Sequence, residues 1–250
     1  MTALLRHALF GTLTTCLALA ASNVALASGL QVSPVSLTLE AKQNAGSLWL
    51  SNTGEDVVHA QVRVYHWTQT RDGDQLTPSR GLVISPPMTQ IAAASQQLIR
   101  VIRVGPPPGG TAAVEEAYRL AIDELPIDTP GGAGLHFVVH YSVPIFIEPT
   151  GVTKTAPQLQ WRLQRDGKQV TLQVDNRGNG HAQLAGLSFT DAKGRRTELV
   201  PGLLGYVLPG STMHWALKPP AAAFATGGTL ELMVNGQTTT ENLALDARAP

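Results

Sequence analysis

Cysteine, aromatic residues and any surplus of one charge are scarce in this 250-residue sequence, and each scarcity closes off a class of function. The single cysteine, Cys16, lies in an N-terminal stretch patterned as an export signal. Arg6 and His7 precede a mostly apolar run from Ala8 to Ala21, and Ala25-Leu26-Ala27 supplies the small-x-small pattern of a signal-peptidase site. Residues 1–27 are therefore expected to be removed, leaving a chain from Ser28 onward with no cysteine. That chain has no disulfide, no thiol nucleophile and no cysteine ligand for zinc, so an exported fold must be held by packing alone. Aromatic residues make up 5%, which leaves few faces for a sugar ring to stack on. Lys+Arg and Asp+Glu stand at 18 each, so no general attraction for nucleic acid or an acidic membrane is expected. Beyond the signal no run approaches about eighteen apolar residues, so no membrane insertion of the mature chain is expected.

The motifs of catalysis are missing too. There is no G-x-S-x-G elbow, no Gly-rich phosphate loop and no H-E-x-x-H. Of the histidines past the signal (His59, His66, His136, His140, His181 and His214), only His136 and His140 form a close pair on one face. Along a strand they would stand about 13 Å apart, too far to share a metal ion, and read as solvent-facing. The adjacent carboxylates Glu115-Glu116 and Asp123-Glu124 point to opposite faces of a strand. The expectation is a protein that is not an enzyme and needs no metal or other cofactor.

What is present is alternation. Apolar residues recur with period two in short runs separated by Gly, Pro, Asn and Asp. Strands are predicted over 35–39, 47–52, 59–69, 97–104, 118–124 and 136–147, then over 158–164, 169–176, 184–190, 206–208, 212–217 and 229–234. Polar, Gly-containing turns at Arg71-Asp72-Gly73-Asp74, Arg165-Asp166-Gly167-Lys168 and Asp191-Ala192-Lys193-Gly194 read as hairpins. Many short strands at this spacing predict β-sandwiches. The stretch EPTGVTKTAP breaks the pattern near the middle, so two domains are expected, 28–148 and 157–250, joined by a stiff link over 149–156. Asn52 and Asn176 read as turn formers, and Pro86-Pro87 as a turn in which cis and trans peptide bonds are both open.

One stretch stands apart. In LHFVVHYSVPIFIE, every second residue from Leu135 to Ile147 is apolar: Leu135, Phe137, Val139, Tyr141, Val143, Ile145 and Ile147. Any half-buried strand alternates in this way, so the pattern alone is compatible with a strand that fills only its own core. This row is longer than one sandwich layer requires, however, and it starts beside the loop Gly131-Gly132-Ala133-Gly134.

EEAYRLAIDELP, a loop, and then LHFVVHYSVPIFIEP resemble the last two strands of the first domain in periplasmic pilus-assembly chaperones, the PapD-like partners of the chaperone–usher pathway. QVSPVSLTLEAKQNAGSLWLSNTGE resembles the family's first two strands, VISPPMTQIAAASQQLIRVIR its Pro-Pro segment and Arg-bearing strand, and VTLQVDNRGNGHAQLAGLSF the opening of its second domain. YSVPIF is closer to the archaic branch of the family. The resemblance implies an all-β fold of two immunoglobulin-like β-sandwich domains in a boomerang arrangement. It implies a periplasmic chaperone that holds pilin or fimbrial subunits by donor-strand complementation and delivers them to an outer-membrane usher. It also leaves the free protein the option of a self-capping dimer.

By the same resemblance, Leu135, Phe137, Val139, Tyr141 and Val143 are the donor-strand residues that bind the subunit, with Tyr141 and Val143 nearer the chaperone's own body. The best-known branch grips the subunit's terminal carboxylate with two basic residues, and the matching positions here are Ser36 and Pro144. Arg100, Arg103 and Arg119 on neighbouring strands are the candidates to replace them, although Arg100 and Arg103 face opposite sides of an ideal strand. An ion pair of Arg100 with Glu115 or Glu116 is its structural alternative. A different class of function, an exported structural or adhesive β-sandwich protein that binds no subunit, requires the apolar row to be wholly internal.

Overall fold

The computed structural model describes residues 29–126, 138–151 and 154–246; Leu135, His136, Phe137 and the export signal lie outside them. Ten strands come first: β1 (Leu30–Ser33), β2 (Leu37–Leu39), β3 (Ala45–Asn52), β4 (Val58–Thr70), β5 (Gly73–Pro78), β6 (Leu82–Ser85), β7 (Met88–Ile91), β8 (Gln96–Arg103), β9 (Glu116–Leu125) and β10 (His140–Ile147). They form two sheets, ordered β1-β3-β8-β6 and β2-β10-β9-β4-β5, with β7 also on β4. The alternation is what closes them face to face. Leu48 and Leu50 of β3 and Ile99 and Val101 of β8 meet Val62 of β4, Leu120 and Ile122 of β9 and Ile145 and Ile147 of β10 in one core. Each such side chain contributes about 1.5–3 kcal/mol by leaving water.

Eight strands follow: β11 (Leu159–Asp166), β12 (Gln169–Asn176), β13 (Ala182–Asp191), β14 (Arg196–Val207), β15 (Thr212–Leu217), β16 (Gly228–Val234), β17 (Gln237–Leu243) and β18 (Leu245–Asp246). They pair as β15-β12-β11-β18 and β14-β13-β16-β17 around a separate core that includes Leu172, Val174, Leu184, Leu187, Phe224 and Leu230. The three predicted hairpin turns join β4 to β5, β11 to β12 and β13 to β14. The cis bond of the Pro86-Pro87 segment is the one that enters it, Ser85–Pro86, and a second precedes Pro34.

Asn52 and Asn176 do more than turn the chain. Both are buried, 2% and 1% exposed, and their amides tie loops together in the two sandwiches. Asn176 Nδ2 donates to the carbonyls of Gly180 (2.8 Å) and Val207 (3.0 Å), while Oδ1 accepts from the backbone N–H of Gln158 (3.1 Å) and Gly178 (2.9 Å). Gly178 is fitted to this latch, since a Cβ there would stand 2.2 Å from the Ala156 carbonyl oxygen. Asn176→Ala strands these buried backbone groups at roughly 1–3 kcal/mol each, so the expected loss is about 3 kcal/mol or more, read as a lower denaturant midpoint at unchanged m-value.

Candidate functional site: a half-paired strand and the seam behind it

β10 is paired unequally along its length. All of it, from His140 to Ile147, pairs antiparallel with β9, whereas only Ile145–Ile147 also pair, in parallel, with Leu37–Leu39 of β2. Among the described residues, the second edge of His140–Pro144 has no strand partner. The odd-numbered row faces inward: Val143, Ile145 and Ile147 are buried in the first core, and Tyr141 packs against it with its hydroxyl donating to the Leu30 carbonyl (2.7 Å). Val143 therefore has no surface to offer a partner, and Tyr141 little. Val139, the next residue out in the row, is only partly buried, and Val138 beside it is 54% exposed.

Among the described residues, the backbone at this point is held from the β9 side. The Val139 N–H donates to Glu124 Oε2 (3.1 Å) and its carbonyl accepts from the Glu124 N–H (3.0 Å). His140 Nδ1 and Arg63 Nη2 both close on Asp123, at 2.6 and 2.7 Å. Partial burial pushes the Asp123 carboxyl up, but the bonds from His140 and Arg63 outweigh it and hold the group below the usual carboxylate range. His140 is thus solvent-facing, with an acidic partner.

The even-numbered row has a different destination. Phe146 is fully buried with Trp67 and Ala117 of the first sandwich and Tyr206 and Leu208 of the second. Trp67 stands edge-on to Tyr206 at 5.3 Å, and the His181 ring lies flat on Phe146 at 3.6 Å and 4°. Gln69 bridges the sandwiches twice, donating to the Tyr206 carbonyl (2.9 Å) and accepting from the Leu208 N–H (2.8 Å). The buried Glu115 carboxylate meets His181 Nδ1 at 2.6 Å.

Of the three candidate arginines only Arg119 reaches this seam. It stands opposite Pro144 in the β9–β10 ladder, its guanidinium 3.7 Å over the Trp67 ring and 5.0 Å from that of Tyr206. Nη1 donates to the Ser142 carbonyl (3.3 Å). Burial lowers its pKa from the ordinary arginine value against the pull of Tyr206 and Asp74, and it remains a cation at neutral pH. Arg100 is exposed on the outer face of the other sheet, opposite Ser47 and Ser85, and forms no pair with Glu115 or Glu116, which go to His181 and His66. Arg103 is turned inward, where Nη2 is spent on the carbonyls of Ala41 and Gln43 and on Asn44. Pro144 is buried beside Arg119, and Ser36 is exposed just ahead of β2.

The model of the pili and flagellar-assembly chaperone family, PapD N-terminal domain, matches residues 29–153. The chain belongs to that family. No curated protein matches it. Solved structures share the family fold across both sandwiches. A chain of the CsuC–CsuE chaperone–tip adhesion subunit pre-assembly complex, from the archaic chaperone–usher Csu pili of Acinetobacter baumannii, is 24% identical, with 87% of this chain and 99% of that one covered at a TM-score of 0.66. A chain of the Salmonella enterica SafA pilin–SafB chaperone complex is 20% identical, covering 88% and 99% at 0.63. The Pseudomonas aeruginosa CupB2 chaperone is 19% identical, covering 86% and 100% at 0.57. Within the family, then, this chain is an all-β chaperone of two sandwiches.

Proposed function

We propose that this chaperone acts in the periplasm, after removal of residues 1–27, by adding the segment that leads into β10 to a pilin or fimbrial subunit and delivering that subunit to an outer-membrane usher. The observation that carries the reading is the half-paired strand. A strand whose second edge is half unpaired among the described residues, and whose apolar row continues in the sequence beyond its buried part, can complete a sheet that lacks a strand. The donating residues on this reading are Leu135, Phe137 and Val139, while Tyr141 and Val143 fasten the strand to the chaperone. Arg119 is the anchor for the subunit's terminal carboxylate, because a planar guanidinium held over Trp67 presents a two-pronged donor in the cleft. The two sandwiches divide as 28–148 and 157–250 about the link 149–156, and the open edge gives free copies a surface on which to cap each other as a dimer. No chemical step is involved.

The reading is in keeping with the two solved complexes described above, each of which joins a chaperone to a pilus subunit. Periplasmic co-expression with the pilin-like subunits of the same genome tests it. A soluble one-to-one complex is the expected result; subunits that aggregate or are degraded equally with and without the chaperone overturn it.

A further inference from the structure

The far end of the donor strand is gripped from the second sandwich. Phe146 belongs to β10, yet the ring that lies flat on it is His181, just ahead of β13. His181 is itself fixed from two directions. Its Nδ1 meets the Glu115 carboxylate, which is 6% exposed and stands at the foot of β9, the strand that carries β10. Its carbonyl accepts from Asn235 Nδ2 (3.0 Å), and Asn235 Oδ1 accepts in turn from the Gln183 N–H (2.7 Å), so the turn between β16 and β17 holds the backbone on both sides of β13's first residue. The Glu115 N–H also donates to the Asn179 carbonyl (2.9 Å) across the same seam.

β10 is therefore built as a cantilever. Its last three residues are paired on both edges and pressed between the first core and His181; its first five hang from β9 alone among the described residues. Successive side chains alternate across a strand, so a small shift or roll at the gripped end is passed to the donating end as a misplaced row. We propose that His181 is a positioning residue for donation: the second sandwich, through the His181–Phe146 stack, sets the pose in which β10 meets its subunit. The proposal rests on the donor-strand reading above and gives the second sandwich a part in capture that its distance from Val139 conceals.

Two readouts on the full mature chain separate the clamp from the donor reading. The variant His181→Gln keeps a hydrogen-bonding group toward Glu115 and removes the ring; the double variant His181→Phe with Glu115→Gln restores a ring and removes the charge. In the free protein, hydrogen exchange of the β10 amides is expected to speed about tenfold in His181→Gln, with β11–β17 unchanged, and to return toward wild type in the double variant. In co-expression with the same pilin-like subunits, His181→Gln is expected to recover about a tenth of the wild-type complex and the double variant most of it, whatever their melting temperatures. Unchanged exchange in His181→Gln overturns the clamp, with or without a subunit in hand. Faster exchange with undiminished capture overturns the positioning role, as does capture that follows melting temperature alone across the set. A wild type that captures nothing removes the donor reading and this proposal with it.

Discussion

Val139→Asp is expected to leave the free chaperone folded and to remove its hold on a subunit. Val139 lies outside the strand ladder, partly buried, with its backbone rather than its side chain held by Glu124. An aspartate there can turn to water in the free protein, so its cost to folding is about 1 kcal/mol or less. In the complex the same side chain would enter the apolar groove of the subunit, where an unpaired carboxylate costs several kcal/mol. Since about 1.4 kcal/mol is tenfold, soluble complex is expected to fall by a hundredfold or more. Co-purification from the periplasm, alongside a thermal melt of the free variant, measures both. A variant that melts like wild type and still captures its subunit would show that the row ends at Tyr141 and serves only this protein's own core.

Arg119→Ala is expected to weaken capture by roughly thirtyfold or more, and Arg119→Lys to restore only part of the loss. Truncating one partner of a buried charge pair costs about 2–5 kcal/mol, much of it from the partner left unpaired. Lysine supplies the charge but neither the planar fork nor the flat contact that keeps the guanidinium over Trp67 and near Tyr206. Arg100→Ala, on the outer face of the other sheet, is the control and should capture as wild type does. Dissociation rates of purified complexes decide the matter. Equal rates for Arg119→Ala and wild type would place the carboxylate elsewhere.

The sandwiches were legible because their strands alternate cleanly. β12 reads QVTLQVDN and buries every second residue, and the three polar turns lie where the hairpins turn. Among the strands that escaped notice, β1 and β6 alternate but over only four residues each, and others lack the signature. β5 is exposed along nearly its whole length and β17 has no buried residue, so neither carries an apolar row to read. β14 is interrupted by Pro201, Gly202 and Gly205, and register shifts against β13 break the period, which left only its end visible. In β10 the apolar row was plain, but alternation cannot tell which sandwich a residue serves; pairing can. Val143 is buried in the first core with Tyr141 packed against it, and the even row, which looked mixed, carries the buried Phe146. The seam was illegible for another reason. Trp67, Glu115, Arg119, Phe146, His181 and Tyr206 come from separate segments of both halves, and no spacing in the chain links them. The sequence hint was indirect: Pro144 stands where the best-known branch is basic, and the ladder sets it directly opposite Arg119.

That the segment just ahead of β10 lies inside a subunit is tested most directly by contact. A chain expressed from Ser28 has no cysteine, so one introduced at Val139 or at Arg100 carries a photo-cross-linker at a single known point. In the purified complex, the label at 139 is expected to attach to the subunit in high yield, at residues lining its groove, and the label at 100 to leave the subunit untouched. Cross-links from 100 and none from 139 would contradict the account, and would mean that the subunit is held on another face of the chaperone.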